Sequence, residues 1–232
     1  MHSNLFTSSP SVQSSRILYT PSPFARSSLL HLQEVGSLSA IRPHTSKREK
    51  LQSYLCFMVE DGEGELVYEG KKYELKTGDV VFIDCRKAYR HSTGLNPNAG
   101  LWSLRWCHFY GLSMPAIYAK YCERGGLPVI RGADVSVDLA RGADMGRRDD
   151  VSCGADVSQY AAILTDIYTL ASSSDYIRDM RINGKLNDLL TLLMESSWHR
   201  GNSSNAPKKM DISLVKSFLD EHYTEKLSLE SV

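Results

Sequence analysis

Two histidines and one glutamate are the residues of this chain that come nearest to a metal-ligand set. His44 and Glu49 share one polar stretch, and His91 lies much further along the chain. A catalytic metal needs about three protein donors and an open coordination position. Two imidazoles and one separated carboxylate make His44 and His91 weak metal candidates. Surface or hydrogen-bonded core histidines are the alternative interpretation.

A second group of side chains suits an organic ligand. Alternation along a strand that includes Leu101 to Phe109 places four side chains on one face, Trp102, Leu104, Trp106 and His108. An indole can cover the apolar face of a sugar ring, and an arginine such as Arg42 can hold hydroxyls or a carboxylate through its planar fork. Plain core packing of the tryptophans and a solvated Arg42 are the alternatives.

These side chains belong to a run of short strands from Leu51 to Gly111. Leu51 to Val59 is almost continuously apolar, and the segment 61–64 interrupts it. Val80 to Ile83 is a β-branched and aromatic run too short for a core helix. Gly70-Lys71 is predicted to form a two-residue hairpin turn. Closely spaced short strands predict an antiparallel sandwich or barrel.

The segments before the run of strands are polar or short. Residues 1–27 are rich in Ser, Thr and Pro, which predicts a mobile N-terminal arm in which Arg16 to Tyr19 could pair as a short strand. Leu29 to Val35 is predicted to be the first barrel strand, ended by Gly36. The barrel is therefore placed at residues 28–112.

Residues 113–200 are predicted to form a helical region that includes a loop at 131–154. Ser113 to Arg124, Gln159 to Ala171 and Tyr176 to His199 are its predicted helices. The last helix carries an apolar stripe, made of Ile182, Leu186, Leu189, Leu190, Leu193 and either Met194 or Trp198. Such a stripe packs on its own domain or on a second copy of the chain, and the second alternative assigns dimerisation to Ile182, Leu186, Leu189 and Leu193.

The end of the chain has the pattern of a linker followed by the start of another domain. Residues 201–209 have linker composition, and Asp211 is a predicted N-cap for a helix from Ile212 to Tyr223. A second helix opens near Ser228 and has no ending. Residues 210–232 are therefore expected to be the start of a truncated domain.

Composition excludes several classes of function. Lys plus Arg equals Asp plus Glu at 27 each, so no global basic field favours nucleic acid. No apolar run approaches the roughly 20 residues of a membrane-spanning helix. The five cysteines are scattered and odd in number, which favours free thiols in a reducing compartment, the cytoplasm.

The barrel stretch resembles the effector-sensing cupin domain of bacterial AraC/XylS-type transcription regulators. The resemblance lies in Tyr54-Leu55, Gly62-Glu63-Gly64, Tyr73-Glu74-Leu75, Gly78 to Ile83 and Trp102 to Gly111, and the tail from Asp211 to Val232 resembles the start of the DNA-binding domain. It implies an α+β fold, with an antiparallel cupin-like β-barrel (jelly roll) followed by a helical dimerisation region. DNA would be bound only through the missing C-terminal helix-turn-helix units.

The same resemblance suggests ligand-binding residues. Arg42 and Trp106 match the arginine and tryptophan with which arabinose-responsive members hold sugar, whereas His91 and Leu104 stand where those members have Tyr and His. The HxH pair of metal-binding cupins is absent, because His44 is followed by Thr45-Ser46. No cofactor is predicted, and the predicted ligand-binding set is Arg42, His91, Trp102, Leu104, Trp106 and His108.

Three hypotheses from different classes follow from these residues. The first is the effector-sensing and homodimerisation part of a regulator, which binds a sugar or related metabolite and catalyses nothing. The second is a metal-dependent cupin enzyme that acts on a small sugar or acid. The third is a ligand-free dimerisation module whose barrel is filled with side chains.

Overall fold

The computed structural model describes residues 12–41, 43–94, 102–132 and 157–203, with side chains described up to residue 197. The elements in chain order are β1 (Val12–Leu18), α1 (Pro23–Ser28), β2 (His31–Ala40), β3 (Thr45–Arg48), β4 (Tyr54–Asp61), β5 (Glu63–Tyr68), β6 (Lys71–Lys76), β7 (Val80–Asp84), β8 (Tyr89–Thr93), β9 (Ser103–Tyr110), α2 (Met114–Glu123), β10 (Val129–Ile130), α3 (Val157–Ser172) and α4 (Arg178–Ser203).

The described strands form two antiparallel sheets. The six-stranded sheet has the order β1-β2-β9-β4-β7-β10, and the four-stranded sheet has the order β3-β8-β5-β6. One hydrophobic cluster joins the two sheets, and a second joins the other face of the six-stranded sheet to α2, α3 and α4. We call the space between the sheets the interior. The predicted fold class, α+β with antiparallel strands followed by helices, is confirmed.

The position of β4 between these two clusters explains its unbroken apolar sequence. Successive side chains of a strand point to opposite faces of its sheet. Leu55 and Phe57 therefore belong to the interior cluster, whereas Cys56 and Met58 belong to the helical side. Because both faces are covered, the buried residues 54–59 of this strand are apolar, and the polar Glu60 and Asp61 follow where burial ends.

The turn between β5 and β6 differs from the predicted one by one residue. The two loop residues are Glu69 and Gly70, with φ of 49° and 76°, rather than Gly70-Lys71. A two-residue type I′ turn needs a positive φ at both central positions, which matches the right-handed twist of the strands. Glycine therefore occupies the second position, and Lys71 is the first residue of β6.

The N-terminal part contains more regular structure than the sequence predicts. β1 begins at Val12 and pairs along its whole length with β2, so Leu29 to Val35 is not the first strand. Gly36 does not end β2, which continues to Ala40. A β-bulge between Leu32 and Glu34 shifts the register of β2 on β9.

The three helices predicted after the strands are present, as α2, α3 and α4, with α4 extending to Ser203. The stripe on α4 packs on its own chain: Ile182, Leu186, Leu189 and Leu193 are 1% exposed or less and lie in the cluster with α3 and the six-stranded sheet. These four side chains leave almost no surface for a partner. Dimerisation through them stays a prediction, because the structure describes one chain.

Several sequence predictions fall outside the described residues. They concern Arg42, most of the predicted loop 131–154, the greater part of the linker 201–209 and the segment 210–232. No helix in the described ranges is both long enough and apolar enough to cross a membrane.

Candidate functional site

The predicted face of β9 lies on the interior side of the six-stranded sheet. Trp102 and Leu104 are 0% and 1% exposed in the interior cluster, and Trp106 packs against it half-buried. His108 is buried opposite Glu34 of β2 and Leu55 of β4. Strand alternation thus places these four side chains as the sequence predicts.

Each interior indole lies over a glycine of a neighbouring strand. A Cβ atom at Gly36 would come within 2.7 Å of the Trp106 ring, and one at Gly64 within 2.1 Å of the Trp102 ring. Gly36 pairs directly with Trp106 across β2 and β9, whereas Gly64 belongs to the opposite sheet. The two glycines therefore provide the room that both indoles occupy in the interior.

A chain of polar contacts crosses the six-stranded sheet on its interior face. Arg16 of β1 donates from Nη2 to Glu34 Oε2 at 2.6 Å, and Trp106 donates from Nε1 to Glu34 Oε1 at 3.0 Å. Burial acts to raise the pKa of Glu34, but the hydrogen bond from Arg16, the nearby His108 and the indole N–H outweigh it and lower the pKa. Glu34 is therefore a carboxylate at neutral pH.

His108 is the next polar group on this face. Its Nδ1 lies 3.0 Å from Ser53 Oγ and 3.9 Å from Cys85 Sγ. Burial lowers the pKa of His108 to about 4, and although Glu34 opposes this shift, Arg48 and Arg16 add to it. The imidazole is therefore neutral at physiological pH.

His91 faces the same interior from β8 of the opposite sheet. Its ring centroid lies 5.3 Å from that of Phe57 and 5.8 Å from that of Trp102. Burial lowers the pKa of His91 to about 3, and the nearby His44, His108 and Arg48 contribute in the same direction. The predicted ligand residue of β8 and those of β9 thus meet in one region.

Three nitrogen atoms of the interior are buried without a hydrogen-bond partner in the described parts of the chain. They are Arg16 Nε, Trp102 Nε1 and His91 Nδ1. The first two can only donate, and the third donates or accepts according to the tautomer. Buried polar groups are normally paired, because each unpaired one costs about 1–3 kcal/mol. A molecule that supplies acceptor oxygens would satisfy them.

His44 and His91 do not form a metal centre with a third donor. His44 precedes β3, and its backbone N–H donates to Thr93 Oγ1 at 3.0 Å, which places it beside the end of β8. Within the described ranges, no three His, Cys, Asp or Glu side chains are grouped so that they could hold a metal ion. Glu49 lies beyond the end of β3 and is exposed.

Two residues of the site were missed by the sequence predictions, Arg16 and Glu34. Strict alternation from Leu32 would turn Glu34 toward the helices, but the β-bulge after Leu32 turns it into the interior. Arg16 pairs with Gly36, so it shares the interior face with Trp106. Glu34 is the single acidic residue of β2, and this is the signal that the sequence offers.

No protein-family model matches the chain, and no curated protein sequence matches it. Among solved structures it is similar to KdgF from a Halomonas species, with 15% identity over 46% of this chain and 86% of that chain and a TM-score of 0.33. It is similar to the AraC-like transcriptional activator CuxR, with 10% identity over 85% of this chain and 64% of that chain and a TM-score of 0.42.

A third similar structure is a predicted oxalate decarboxylase from Thermotoga maritima, with 15% identity over 44% of this chain and 81% of that chain and a TM-score of 0.32. Regulators and enzymes therefore both occur among the similar cupins. At these identities and TM-scores the likeness concerns the fold alone and brings no function to this chain.

Proposed function

We propose that this chain is the effector-sensing part of a bacterial AraC-type transcription regulator and that it catalyses no reaction. Its interior binds an oxygen-rich small molecule, a sugar or a related metabolite. The observation that carries the proposal is a group of three buried nitrogen atoms, on Arg16, Trp102 and His91, that have no hydrogen-bond partner among the described residues, together with the Trp106 indole that packs against the interior cluster. Apolar ring faces with a few aimed donors are the usual lining of a small-molecule site.

The regulatory part of the proposal is supported by the sequence. The strand motifs resemble the effector domain of AraC/XylS regulators, and the tail from Asp211 resembles the beginning of their DNA-binding domain. The proposed assembly is a homodimer in which ligand binding alters how the DNA-binding domains are presented. An effector acts in this way when it binds two arrangements of the protein with different affinity.

β1 offers a physical connection between the interior and the helices. Its Arg16 is paired with Glu34 in the interior, while the neighbouring Ser15 hydrogen-bonds Tyr168 of α3. Just beyond β1, Tyr19 donates to Asp179 of α4 at 2.6 Å. A ligand that takes acceptors or donors from the Arg16–Glu34 pair would therefore change the docking of β1 on α3 and α4.

The test is a calorimetric screen of pentoses, hexoses and their acids against the purified protein. We expect one compound to bind with one site per chain, and we expect Trp106→Ala to weaken its binding at least about tenfold, since aromatic platforms contribute strongly to binding. Tyr176→Ala is the matched control, because Tyr176 is 95% exposed on the α3–α4 connection. A screen without a binder would contradict the proposal and favour the side-chain-filled module.

A further inference from the structure

We propose that the ligand of the interior carries an anionic oxygen group, a carboxylate or a phosphate, and that Arg48, His44 and His91 hold this group at one end of the interior. The inference rests on the proposed function and deepens it by naming the chemical class of the effector. It separates sugar acids and sugar phosphates from neutral sugars.

Strand register places the three residues on one face of the four-stranded sheet. Ser46 of β3 pairs with His91, Arg48 pairs with Tyr89, and Thr93 of β8 is hydrogen-bonded to the backbone of His44. Directly opposed residues of antiparallel strands lie on the same face of the sheet. Arg48 and His44 therefore lie on the same face as His91, one on each side of it along the strand direction.

The formal charges on the interior leave an excess of positive charge. Arg16 pairs with the carboxylate of Glu34, and Arg48, which is exposed at the end of β3, adds a second guanidinium group that is not part of this pair. Arg48 forms no ion pair with any residue that the structure describes, yet its charge acts on His91, His108, Tyr89 and Cys85. The pairing of Arg48 with Tyr89 places Arg48 on the face of β3 that corresponds to the face of Tyr89 and His91 on β8.

The remaining titratable groups add no negative charge. Burial raises the pKa of Tyr89, and burial raises the pKa of Cys85 to about 12, so both are neutral. His44, His91 and His108 are neutral imidazoles that can accept a proton when an anion approaches. The cluster can therefore donate to an anion and can also become more positive when the anion binds.

The surroundings of His91 support the anion site independently of the charges. Its Nδ1 is buried and has no partner in the described residues, although the ring is held between the aromatic rings of Phe57, Trp102 and Tyr89. These three aromatic rings fix the imidazole of His91, and its Nδ1 atom is available to a ligand. An anionic oxygen would take an N–H from His91 and a charge-assisted hydrogen bond from Arg48.

The first experiment uses inorganic phosphate and does not require the effector. Phosphate is titrated into protein labelled with nitrogen-15 on histidine, at constant ionic strength set with sodium chloride. We expect the side-chain signals of His91 and His44 to shift to saturation. Arg48→Gln should weaken phosphate binding about tenfold, Arg48→Lys should restore part of it, and Lys47→Gln should leave it unchanged.

Lys47 is a matched control because it is exposed like Arg48, precedes it on β3 and lies on the opposite face of that strand, paired with Arg90. Two results would overturn the anion site: imidazole signals that do not respond to phosphate, or a response that survives in Arg48→Gln.

The second experiment compares glucose with glucuronate and with glucose 6-phosphate, and galactose with galacturonate, in the same calorimetric screen. Tighter binding of glucuronate or galacturonate points to a carboxylate, and tighter binding of glucose 6-phosphate points to a phosphate. Neutral sugars that bind as tightly as their anionic partners would contradict the inference while leaving the proposed ligand site intact. The absence of every binder would contradict the proposed function itself.

Discussion

The two faces of the six-stranded sheet differ in what they bury. On the helical side, β4 and β7 present side chains such as Tyr54, Met58 and Phe82 to the apolar residues of α2, α3 and α4. On the interior side the same strands meet an Arg–Glu pair, two imidazoles and two indoles. The first face is packed mainly with apolar side chains and contains one buried nitrogen, Arg105 Nε, without a partner among the described residues, whereas the second contains three such nitrogen atoms.

The two faces are therefore expected to contribute differently to folding stability and to ligand binding. Burial of apolar area is the dominant favourable term in folding, so the helical side is expected to carry most of the stability. Unpaired buried donors cost stability, and in the proposed function a ligand pairs with those of the interior. Substitutions on the helical side should therefore change the free energy of unfolding, and those in the interior should change ligand binding and pH dependence.

The largest effect is expected on the helical side. Leu189→Ala removes a fully buried side chain of α4 and should lower the free energy of unfolding by about 2–5 kcal/mol. Thr191→Ala is the control, because Thr191 is exposed on the same helix. Urea unfolding followed by tryptophan fluorescence gives both values. A loss below about 1 kcal/mol would mean that the stripe of α4 faces a partner rather than its own sheet.

The interior should make stability depend on pH. The pKa of His91 is about 3 and that of His108 about 4 in the folded protein, below the 6.5 of an unfolded histidine. The folded state therefore binds fewer protons than the unfolded state between these values, so stability falls as the pH is lowered through 6.5. At pH 5 the loss should be on the order of 2 kcal/mol for each imidazole.

Thermal or urea unfolding between pH 7 and pH 5 measures this loss. His91→Asn should remove about half of the dependence. An unchanged stability over this range would show that the two imidazoles are solvated rather than enclosed between the sheets.

Substitution of a glycine that lies under an indole is expected to have a smaller effect on the free energy of unfolding. Gly64→Ala would place a Cβ atom 2.1 Å from the Trp102 ring, so the ring must move, at a cost of about 1–3 kcal/mol. Gly184→Ala in α4 meets no atom within 4 Å and should stabilise the helix by about 0.5–1 kcal/mol. In one unfolding assay, we expect Gly64→Ala to lower the free energy of unfolding and Gly184→Ala to raise it. A change of the same sign in both variants would contradict the position of Trp102 over Gly64.

A small effect on stability is also expected from Glu34→Gln. The amide keeps an acceptor for Trp106 and loses the ion pair with Arg16, which is partly exposed, so the cost is about 1 kcal/mol. Because Glu34 raises the pKa of His108, the variant should lower that pKa further. An NMR titration of His108 measures the shift, and Glu65→Gln on the outer sheet surface should leave it unchanged.

The sequence predicted the parts of the molecule that depend on local alternation. Trp102, Leu104, Trp106 and His108 share one face because β9 is regular, and α2, α3 and α4 follow from their apolar periodicity. The continuous apolar run of β4 indicated a strand that is covered on both faces. These features depend only on the period of two or 3.6 residues.

The missed features depend on contacts between distant segments. Glu34 enters the interior because of one extra residue in β2, and Gly36 lies inside that strand because the Trp106 ring needs the space above it. Arg16 reaches the site from a Ser- and Pro-rich segment that pairs only once β2 is in place. Neither a bulge nor a ring-over-glycine contact has a periodic signal in the sequence.

The central claim is that the interior donors serve a bound molecule, and the Trp102 indole N–H tests it most directly. Its proton and nitrogen-15 signals can be followed by NMR while the compound found in the calorimetric screen is added. If the claim is right, the indole proton should move downfield and exchange more slowly with solvent as an acceptor oxygen reaches it. A compound that binds at one site per chain and leaves the Trp102 signal unchanged would contradict the claim.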